Sequence, residues 1–503
     1  MDSVRESVDL TNPPTFANYK LILLVSFIKC SIGAGSFGLP LAMSQAGYVA
    51  GSLAILVMGI VSYYTMTLMI HSKQLLQRSN IATMGGHSRG LSRTHSRSSR
   101  SSRSSSAASS SKGCDQGCDQ LSMNAEMNEP LLPLLLDAAG AREELFIFAS
   151  LGEGAFGPWG KVWCEASVFL LLTGVAAGYM IFIGANFSSA IDDMQSSFTV
   201  PPWVSFLVVP VLPCFLVLLR TYEVLAKVAS TGVLCVFVAM LTILVVGPIY
   251  TDFKPLDELT AFDLPELPGV LGISAFLLAI HSAVMSFAGE LEPNLSPSEI
   301  NATIGWGCLI VSLSNMLIAV YGYLLWGSAV NGYVFCNVGA SPAVTALKLL
   351  LVVELICSLP FAVRPNIEIF EKRLGLERGG SPRVEMQRNA TRVLLVLLSY
   401  CVTIAVPVFQ DCLTLVGGVA GAAVGFVIPP AVHLKLLSSG VGKLGEAETM
   451  GYRTEARRKA AMAADAALVV LGVGIQVWTA YASVLTIVDR NEGAGDDDEQ
   501  NGC

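Results

Sequence analysis

Eleven apolar runs, each about the length of a helix that crosses a bilayer, restrict what this chain can fold into. Inside lipid every backbone N–H and C=O must be paired within the protein, so such runs predict membrane-spanning α-helices. Hydrophobic residues make up 53% of the chain and charged residues only 14%, which excludes a soluble globular protein. The runs cover residues 21–43, 48–71, 163–185, 203–219, 224–249, 269–291, 303–327, 343–363, 391–409, 412–434 and 465–488.

Basic residues in the connections predict the orientation of the chain. Residues 73–160, 369–392 and 435–463 contain 9, 6 and 6 Lys plus Arg, whereas residues 186–203 contain none. Because cytosolic connections are enriched in Lys and Arg, we expect residues 1–20 to form a cytosolic N-terminal segment. With eleven spans, the acidic tail of residues 489–503 is then expected outside the cell or in a lumen.

The connection 73–160 includes a Ser/Arg-rich stretch, "HSRGLSRTHSRSSRSSRSSSAASSSKG", from His87 to Gly113. Its shortage of hydrophobic residues predicts a disordered cytosolic loop, because ordering it would bury too little apolar surface to offset the lost entropy. Serines next to arginines suggest regulation by protein kinases, and a solvated tether is the alternative interpretation.

The first span contains helix-breaking residues at its middle. Residues 29–40 read "KCSIGAGSFGLP". Irregular backbone at membrane depth is tolerated only where protein buries it or a watery cavity bathes it, so a break there indicates a binding site. Glycines that pack helices together are the alternative, but Gly33 and Gly35 are two residues apart rather than four. The residues expected at this interruption are Gly33, Ala34, Gly35 and Ser36.

A second interruption is expected in the sixth span, which reads "ISAFLLAIHSAVMSFAGELEPN". Many membrane transport proteins consist of two inverted repeats, each with an interrupted helix at the same position. Two repeats of five helices, residues 21–249 and 269–434, would make the sixth span the partner of the first and leave residues 465–488 as an eleventh helix. The residues expected at the second interruption are Ser286, Phe287, Ala288 and Gly289, with helix packing again the alternative.

Two interrupted helices offer a binding site for a zwitterion. The free amides at the start of each half-helix attract a carboxylate, and the helix dipole adds to this attraction. The free carbonyls at the end of the preceding half-helix accept from an ammonium group or coordinate a cation. Amino acids carry both groups, so they are the expected substrate.

The chain resembles the amino acid/auxin permeases, which belong to the amino acid, polyamine and organocation superfamily and have the leucine-transporter fold. Their first-helix pattern, K-x-x-x-G-x-G-x-x-G-L-P-x-A, is similar to the stretch from Lys29 to Ala42. "LAIHSAVMSFAGELEP" resembles their sixth helix and "ICSLPFAVRPNIEIFE" their eighth. "VTIAVPVFQDCLTLVGGVAGAAVGFVIPPAVHLKL" resembles their ninth and tenth helices. The chain departs from the family at Ser286, where many members have proline, and at Ala288, where proton-coupled members of the lysosomal type have glutamate or glutamine.

The resemblance also implies roles for four further residues. Tyr179 is expected to face the site from the third helix, with aromatic packing as the alternative. Ser358 matches a hydroxyl of the cation site in sodium-coupled relatives, and a bond to its own helix is the alternative. Lys29 stands where those relatives have asparagine, so its ammonium favours protons over sodium, unless it extends to the interface. His281 lies at the histidine of the family's sixth-helix motif and is expected to carry or sense protons.

Together these features predict an all-α polytopic membrane protein that moves small, neutral amino acids by alternating access. Coupling to protons is favoured and coupling to sodium is the second option. The expected membrane is the plasma membrane or a vacuolar or lysosomal membrane, and the expected partners are the amino acid and the lipid bilayer. An amino-acid sensor that signals through its cytosolic loops and a channel-like pore are the alternatives. The sequence contains no Walker loop, no metal-ligand cluster within a span and no nucleic-acid motif, so we expect neither an enzyme nor a cofactor.

Overall fold

The computed structural model describes residues 16–95, 148–194, 202–219, 223–291, 294–376, 381–406, 408–439 and 455–493, and these residues form helices and connections without a strand. The first span consists of α1 (Phe16–Ser31), a 3-10 segment (Ala34–Gly38) and α2 (Leu39–Ala46). The following helices are α3 (Tyr48–His95), α4 (Pro158–Met194), α5 (Pro202–Leu216), α6 (Glu223–Tyr250), α7 (Leu267–Leu278), α8 (His281–Leu291), α9 (Pro297–Trp326), α10 (Pro342–Arg373) and α11 (Pro382–Ala405). The tenth predicted span consists of α12 (Phe409–Val416), two π-helical segments (Gly417–Gly421 and Ala423–Val427) and α13 (Ile428–Ser438), and α14 covers Glu455–Gly493.

Helices lie at each of the eleven predicted positions, but not all meet the length of a span. Within the described residues, eight helices are long and apolar enough to cross a membrane, or nine when α1 and α2 are counted as one bent span. The helix α5 has 15 residues, and the apolar segment Leu234–Tyr250 of α6 is also short. The prediction of a helical membrane protein is therefore confirmed, and the count of eleven spans stays a prediction.

The long connection after α3 is shorter than predicted at both ends. α3 continues to His95 instead of ending at residue 71, because the residues after the span include good helix formers such as "KQLLQR". Residues 148–156 are also helical, and Phe148 and Leu151 are buried. The remaining part of the predicted disordered loop, 96–147, lies outside the described residues.

Several helix starts follow from local sequence. Ser296 and Glu299 form a reciprocal capping box at the start of α9, with Pro297 at the first helical position. The side chain of Ser341 accepts a hydrogen bond from the amide of Val344 at the start of α10. These caps fix the places where two long spans leave the connections.

Buried ion pairs connect α10 to its neighbours at both ends. The ammonium of Lys348 lies 2.8 Å from Asp193 Oδ2 on α4, and its side chain is 2% exposed. Toward the other end, Glu371 on α10 accepts from Arg388 and Arg392 on α11, at 3.0 Å each. Buried pairs of this kind hold α4, α10 and α11 together beside the interrupted helices.

The backbone of the sixth span lies very close to the backbone of the tenth. A Cβ built on Gly417 would lie 2.0 Å from the Gly272 carbonyl oxygen, and one on Gly421 would lie 3.0 Å from the Ala275 carbonyl oxygen. A Cβ on Gly425 would lie 3.2 Å from Cε1 of His281. Glycine at these three positions lets the tenth span pack directly against α7 and the start of α8.

Candidate functional site

The first span is interrupted where the sequence predicts it. α1 ends at Ser31, and the axis turns by 47° between Tyr19–Ser31 and Ala34–Ala46. Gly33 has an extended backbone, with φ −164° and ψ −156°, and a Cβ built there would meet no atom within 4 Å. The break therefore borders open space, as a binding site requires.

The break leaves main-chain groups for a ligand. The amide of Ser36 donates to the Gly33 carbonyl at 3.0 Å, which begins the 3-10 segment. The amides of Ala34 and Gly35 precede the first turn and have no backbone partner among the described residues. The hydroxyls of Ser31 and Ser36 are buried and have no hydrogen-bond partner there either. These groups point to a polar ligand, because buried polar atoms are normally paired.

The sixth span is also interrupted, but earlier than predicted. α7 ends at Leu278 and α8 begins at His281, so Ala279 and Ile280 are the non-helical residues. The predicted position of the break, Ser286–Gly289, is wrong, because those residues continue α8. Phe287 is half-buried and Ala288 is 2% exposed, while the side-chain environments of Ser286 and Gly289 lie outside the described residues.

Side chains from α3 hold the second break in place. The hydroxyl of Ser62 donates to the Leu278 carbonyl at 3.2 Å and so pairs one of the free carbonyls at the end of α7. The hydroxyl of Thr65 lies 2.9 Å from His281 Nε2. Thr65 also lies within donating distance of the Val61 and Ser62 carbonyls, so its oxygen accepts the Nε2 proton of His281. No described residue pairs with His281 Nδ1, although the residue is 0% exposed.

The two breaks lie next to each other. A Cβ built on Gly35 would lie 2.9 Å from Leu277 and 3.2 Å from Phe276, both at the end of α7. Ser274, one turn earlier on α7, carries another buried hydroxyl without a partner among the described residues. The start of the 3-10 segment thus faces the end of α7.

A charged cluster lies beside the first break. Lys29 on α1 and Tyr179 on α4 lie within electrostatic range of Glu354 on α10, and among the described residues neither side chain forms an ion pair or hydrogen bond with it. The Ser358 hydroxyl donates to Glu354 Oε1 at 2.7 Å, so it does not make the bond to its own helix backbone. A Cβ built on Gly232 would lie 2.1 Å from Glu354 Cγ, which places α6 against the same carboxylate. The structure therefore brings the predicted Lys29, Tyr179 and Ser358 together around Glu354.

His281, the other predicted coupling residue, belongs to a different environment. It contacts Thr65 on α3 and the edge of the Phe426 ring on the tenth span, and the two ring centroids are 6.4 Å apart. No carboxylate contacts it among the described residues. Its role in proton coupling stays a prediction.

An aromatic cluster closes the site on the side predicted to face away from the cytosol. The Phe37 ring centroid lies 5.9 Å from that of Phe182 and 5.0 Å from that of Phe335. Phe182 also contacts Tyr333 and Phe409, with centroids 4.9 Å and 5.4 Å apart. Sequence reasoning missed this cluster because its members come from four separate parts of the chain. These are the 3-10 segment before α2, the helix α4, the connection that follows α9, and the helix α12. No local pattern links these positions.

A polar contact anchors the aromatic cluster. The Tyr333 hydroxyl donates to Asn186 Oδ1, and Asn186 is 0% exposed. The amide nitrogen of Asn186 donates in turn to the Phe182 carbonyl at 2.8 Å. The burial of Asn186 also argues against glycosylation of this position, since a glycan requires surface exposure.

Comparison with known proteins agrees with the fold. The family model of transmembrane amino acid transporter proteins matches residues 21–89 and 137–451. The amino acid transporter AVT3C of Arabidopsis thaliana is 23% identical over 498 residues, covering 94% of this chain and 93% of that protein. The vesicular inhibitory amino acid transporter of Mus musculus is 26% identical over 184 residues, 35% of this chain and 34% of the relative.

The fold has a counterpart among solved structures. The chain is similar to the inward-facing conformation of Mhp1, with a TM-score of 0.51 and 11% identity over 98% of this chain and 95% of that one. This likeness supports the leucine-transporter type of fold, while the 5+5 repeat stays a prediction. On the match of its family model, this chain belongs to the transmembrane amino acid transporter protein family.

Proposed function

We propose that this protein is a secondary transporter of small, neutral amino acids that is coupled to protons and works by alternating access. The observation that carries the proposal is the pair of adjacent helix breaks with the partly buried side chains of Lys29 and Glu354 nearby. The breaks supply main-chain partners for a zwitterion, and the cluster supplies a group that can gain and lose a proton.

The substrate follows from the polarity of the breaks. Free amides begin the segment Ala34–Ala46 and the helix α8, and both helix starts attract a carboxylate. Free carbonyls end α1 and α7, and they accept from an ammonium group. Lys29 and Glu354 compensate each other, so the surroundings favour a substrate without net charge. Phe276 and Leu277 narrow the space next to Gly35 and favour a small side chain.

Proton coupling follows from the partner of Lys29. An ammonium beside the first break repels a sodium ion at that place. Glu354 can accept one proton on its carboxylate, and Ser358 can then stay hydrogen-bonded to it. Protonation removes the negative charge near Lys29, so the electrostatic attraction between α1 and α10 depends on that proton. We infer that this attraction couples proton movement to the motion of α1.

Alternating access is supported by the aromatic cluster. Phe37 precedes α2, so its packing against Phe182 and Phe335 closes one side of the site. α1 and α2 are joined only through the break, which gives α2 a hinge at Gly33. Opening of the site toward the cytosol then requires α1 to move. Opening toward the opposite side of the membrane requires Phe37 to leave the aromatic cluster.

The test is uptake of a labelled amino-acid panel into proteoliposomes that contain the purified full chain. We expect saturable uptake of small neutral amino acids, accelerated when a proton gradient is imposed. Acceleration by a sodium gradient alone would contradict proton coupling and favour the sodium-coupled alternative. Flux that does not saturate would favour a channel-like pore.

A second experiment distinguishes a transporter from an amino-acid sensor. Deleting residues 87–113 should leave uptake unchanged if the protein is a transporter. Signalling without measurable uptake, lost on this deletion, would support the sensor. Fractionation of the membranes of cells that express the full chain shows whether the protein lies in the plasma membrane or in a vacuolar or lysosomal membrane.

A further inference from the structure

A buried chain of titratable groups lies away from the proposed substrate site. His71 Nδ1 on α3 lies 2.9 Å from His433 Nε2 on α13, and His433 Nδ1 lies 2.7 Å from Asp465 Oδ2 on α14. His433 and Asp465 are both 0% exposed, and the two imidazole centroids are 5.0 Å apart. Three helices that are distant in sequence therefore meet through one hydrogen-bonded relay.

The arrangement has room for one proton. With Asp465 ionised, His433 donates its Nδ1 proton to the carboxylate and accepts from His71 Nδ1 at Nε2. A proton that arrives at His71 Nε2 allows the Nδ1 proton of His71 to pass to His433 Nε2. One proton is added, none is lost, and both hydrogen bonds of the relay persist with the direction of one reversed.

The added proton changes the charge of a buried group. Without it the relay carries one negative charge, and Asp465 Oδ1 is buried with no hydrogen-bond partner among the described residues. An uncompensated charge away from water is costly, especially at membrane depth. With the proton, the histidinium and the carboxylate form an ion pair and the net charge is zero. The proton therefore stabilises the packed arrangement of α3, α13 and α14.

Among the described residues, the neighbouring elements supply few other charges. Tyr64, two turns before His71 on α3, interacts electrostatically with Asp465. Arg458 on α14 donates to the Leu437 carbonyl at 3.4 Å, and Lys73 is half-buried on α3. Lys435 on α13 is exposed. Of the other elements packed against α14, α7 and the π-helical segments contain no titratable side chain, whereas α12 contains Asp411 and Cys412.

We propose that His71, His433 and Asp465 bind one proton, and that this proton holds α3, α13 and α14 together on the side predicted to be cytosolic. The site is separate from the Lys29–Glu354 cluster, because it involves none of the same residues. Histidine is the side chain whose unperturbed charge changes between pH 5 and 8, so this is the pH range in which we test the proposal. The tenth span also contacts His281 through Gly425, so loosening α13 loosens the wall of the second break.

Hydrogen exchange of the full chain in lipid nanodiscs, without substrate, tests the proposal. In the wild type we expect protection of amides in 428–438, corrected for intrinsic rates, to fall on the order of tenfold between pH 5 and 8. Asp465→Asn removes the negative charge, so its protection should stay constant over this range. Asp465→Glu should keep the pH dependence. Ser483→Ala, another buried polar position on α14, is the matched control and should behave as the wild type.

One result would contradict the proposal, and a second variant is available if the first does not fold. Equal pH dependence in the wild type and in Asp465→Asn would overturn it. If Asp465→Asn does not fold, His71→Gln at the half-buried end of the relay should give the same constant protection. Because the readout needs no transport, failure of the amino-acid uptake assay would leave this test intact. Conversely, if the Asp465→Asn protein retains proton-driven uptake, the relay and the Lys29–Glu354 cluster have independent functions.

Discussion

Replacing Gly417 by alanine tests whether the close packing of the sixth and tenth spans is required. The new Cβ would lie 2.0 Å from the Gly272 carbonyl oxygen and 2.7 Å from the Phe276 amide nitrogen. Both neighbours are backbone atoms of α7, so no flexible side chain can move aside. Close carbon–oxygen contacts lie at about 3.3 Å, so the two spans must separate locally by about 1.3 Å.

The expected cost follows from this separation. Inserting a methyl group into a packed contact costs about 1–3 kcal/mol, and occasionally more. A cost of that size changes an equilibrium between packed and separated spans by about 5- to 150-fold, since about 1.4 kcal/mol is tenfold. Because α7 ends at the second break, the separation also displaces one wall of the proposed site. We expect a lower thermal midpoint in detergent and slower uptake.

A matched glycine on another helix provides the control. A Cβ built on Gly474, on α14, meets no atom within 4 Å. Gly474→Ala should therefore keep or slightly raise the thermal midpoint, because alanine is the better helix former. A Gly417→Ala protein with the midpoint and uptake of the wild type would show that the sixth and tenth spans do not need this contact, and the reasoning would fail.

Three further substitutions test the coupling cluster, the aromatic cluster and the buried ion pair. Glu354→Gln should reduce proton-driven accumulation by at least about tenfold while exchange of internal for external substrate continues, because only the coupled step needs the carboxylate; equal losses of both fluxes would contradict this role. Tyr333→Phe should lower the free energy of unfolding by about 1 kcal/mol, since the buried Asn186 loses its donor, and a thermal midpoint equal to that of the wild type would speak against the hydrogen bond. Lys348→Met should cost about 3–5 kcal/mol because it leaves the Asp193 carboxylate without its cation, with only the Thr345 hydroxyl donating to it, and Lys348→Met combined with Asp193→Asn should recover part of this loss in a thermal unfolding assay. A double variant no more stable than the single one would remove the ion pair as the cause.

The first break illustrates what local sequence can predict. Gly33, Gly35 and Pro40 weaken or constrain helical backbone wherever they occur, so the interruption at residues 32–33 follows from the residues themselves. The span positions follow in the same way from apolar length. Lys29 and Ser358 were also identified from sequence. The structure places both near the carboxylate of Glu354.

The second break illustrates what local sequence could not predict. Ala279 and Ile280 contain no helix-breaking residue, so composition pointed to the small residues at Ser286–Gly289 instead. The interruption is held by contacts from other helices: Ser62 pairs the Leu278 carbonyl, and Thr65 accepts from His281. A break of this kind depends on tertiary partners, whose distance along the chain leaves no periodic signal.

The sequence by itself determined that the chain is a helical membrane protein with a broken first span, because hydropathy and backbone preference act within a few neighbouring residues. Only the tertiary structure decided where the sixth span breaks, which aromatic rings close the site and that His71, His433 and Asp465 form one relay. Each of these features joins residues from separate helices. Their contacts depend on how the helices pack in three dimensions, which is a property of the whole chain and not of any segment.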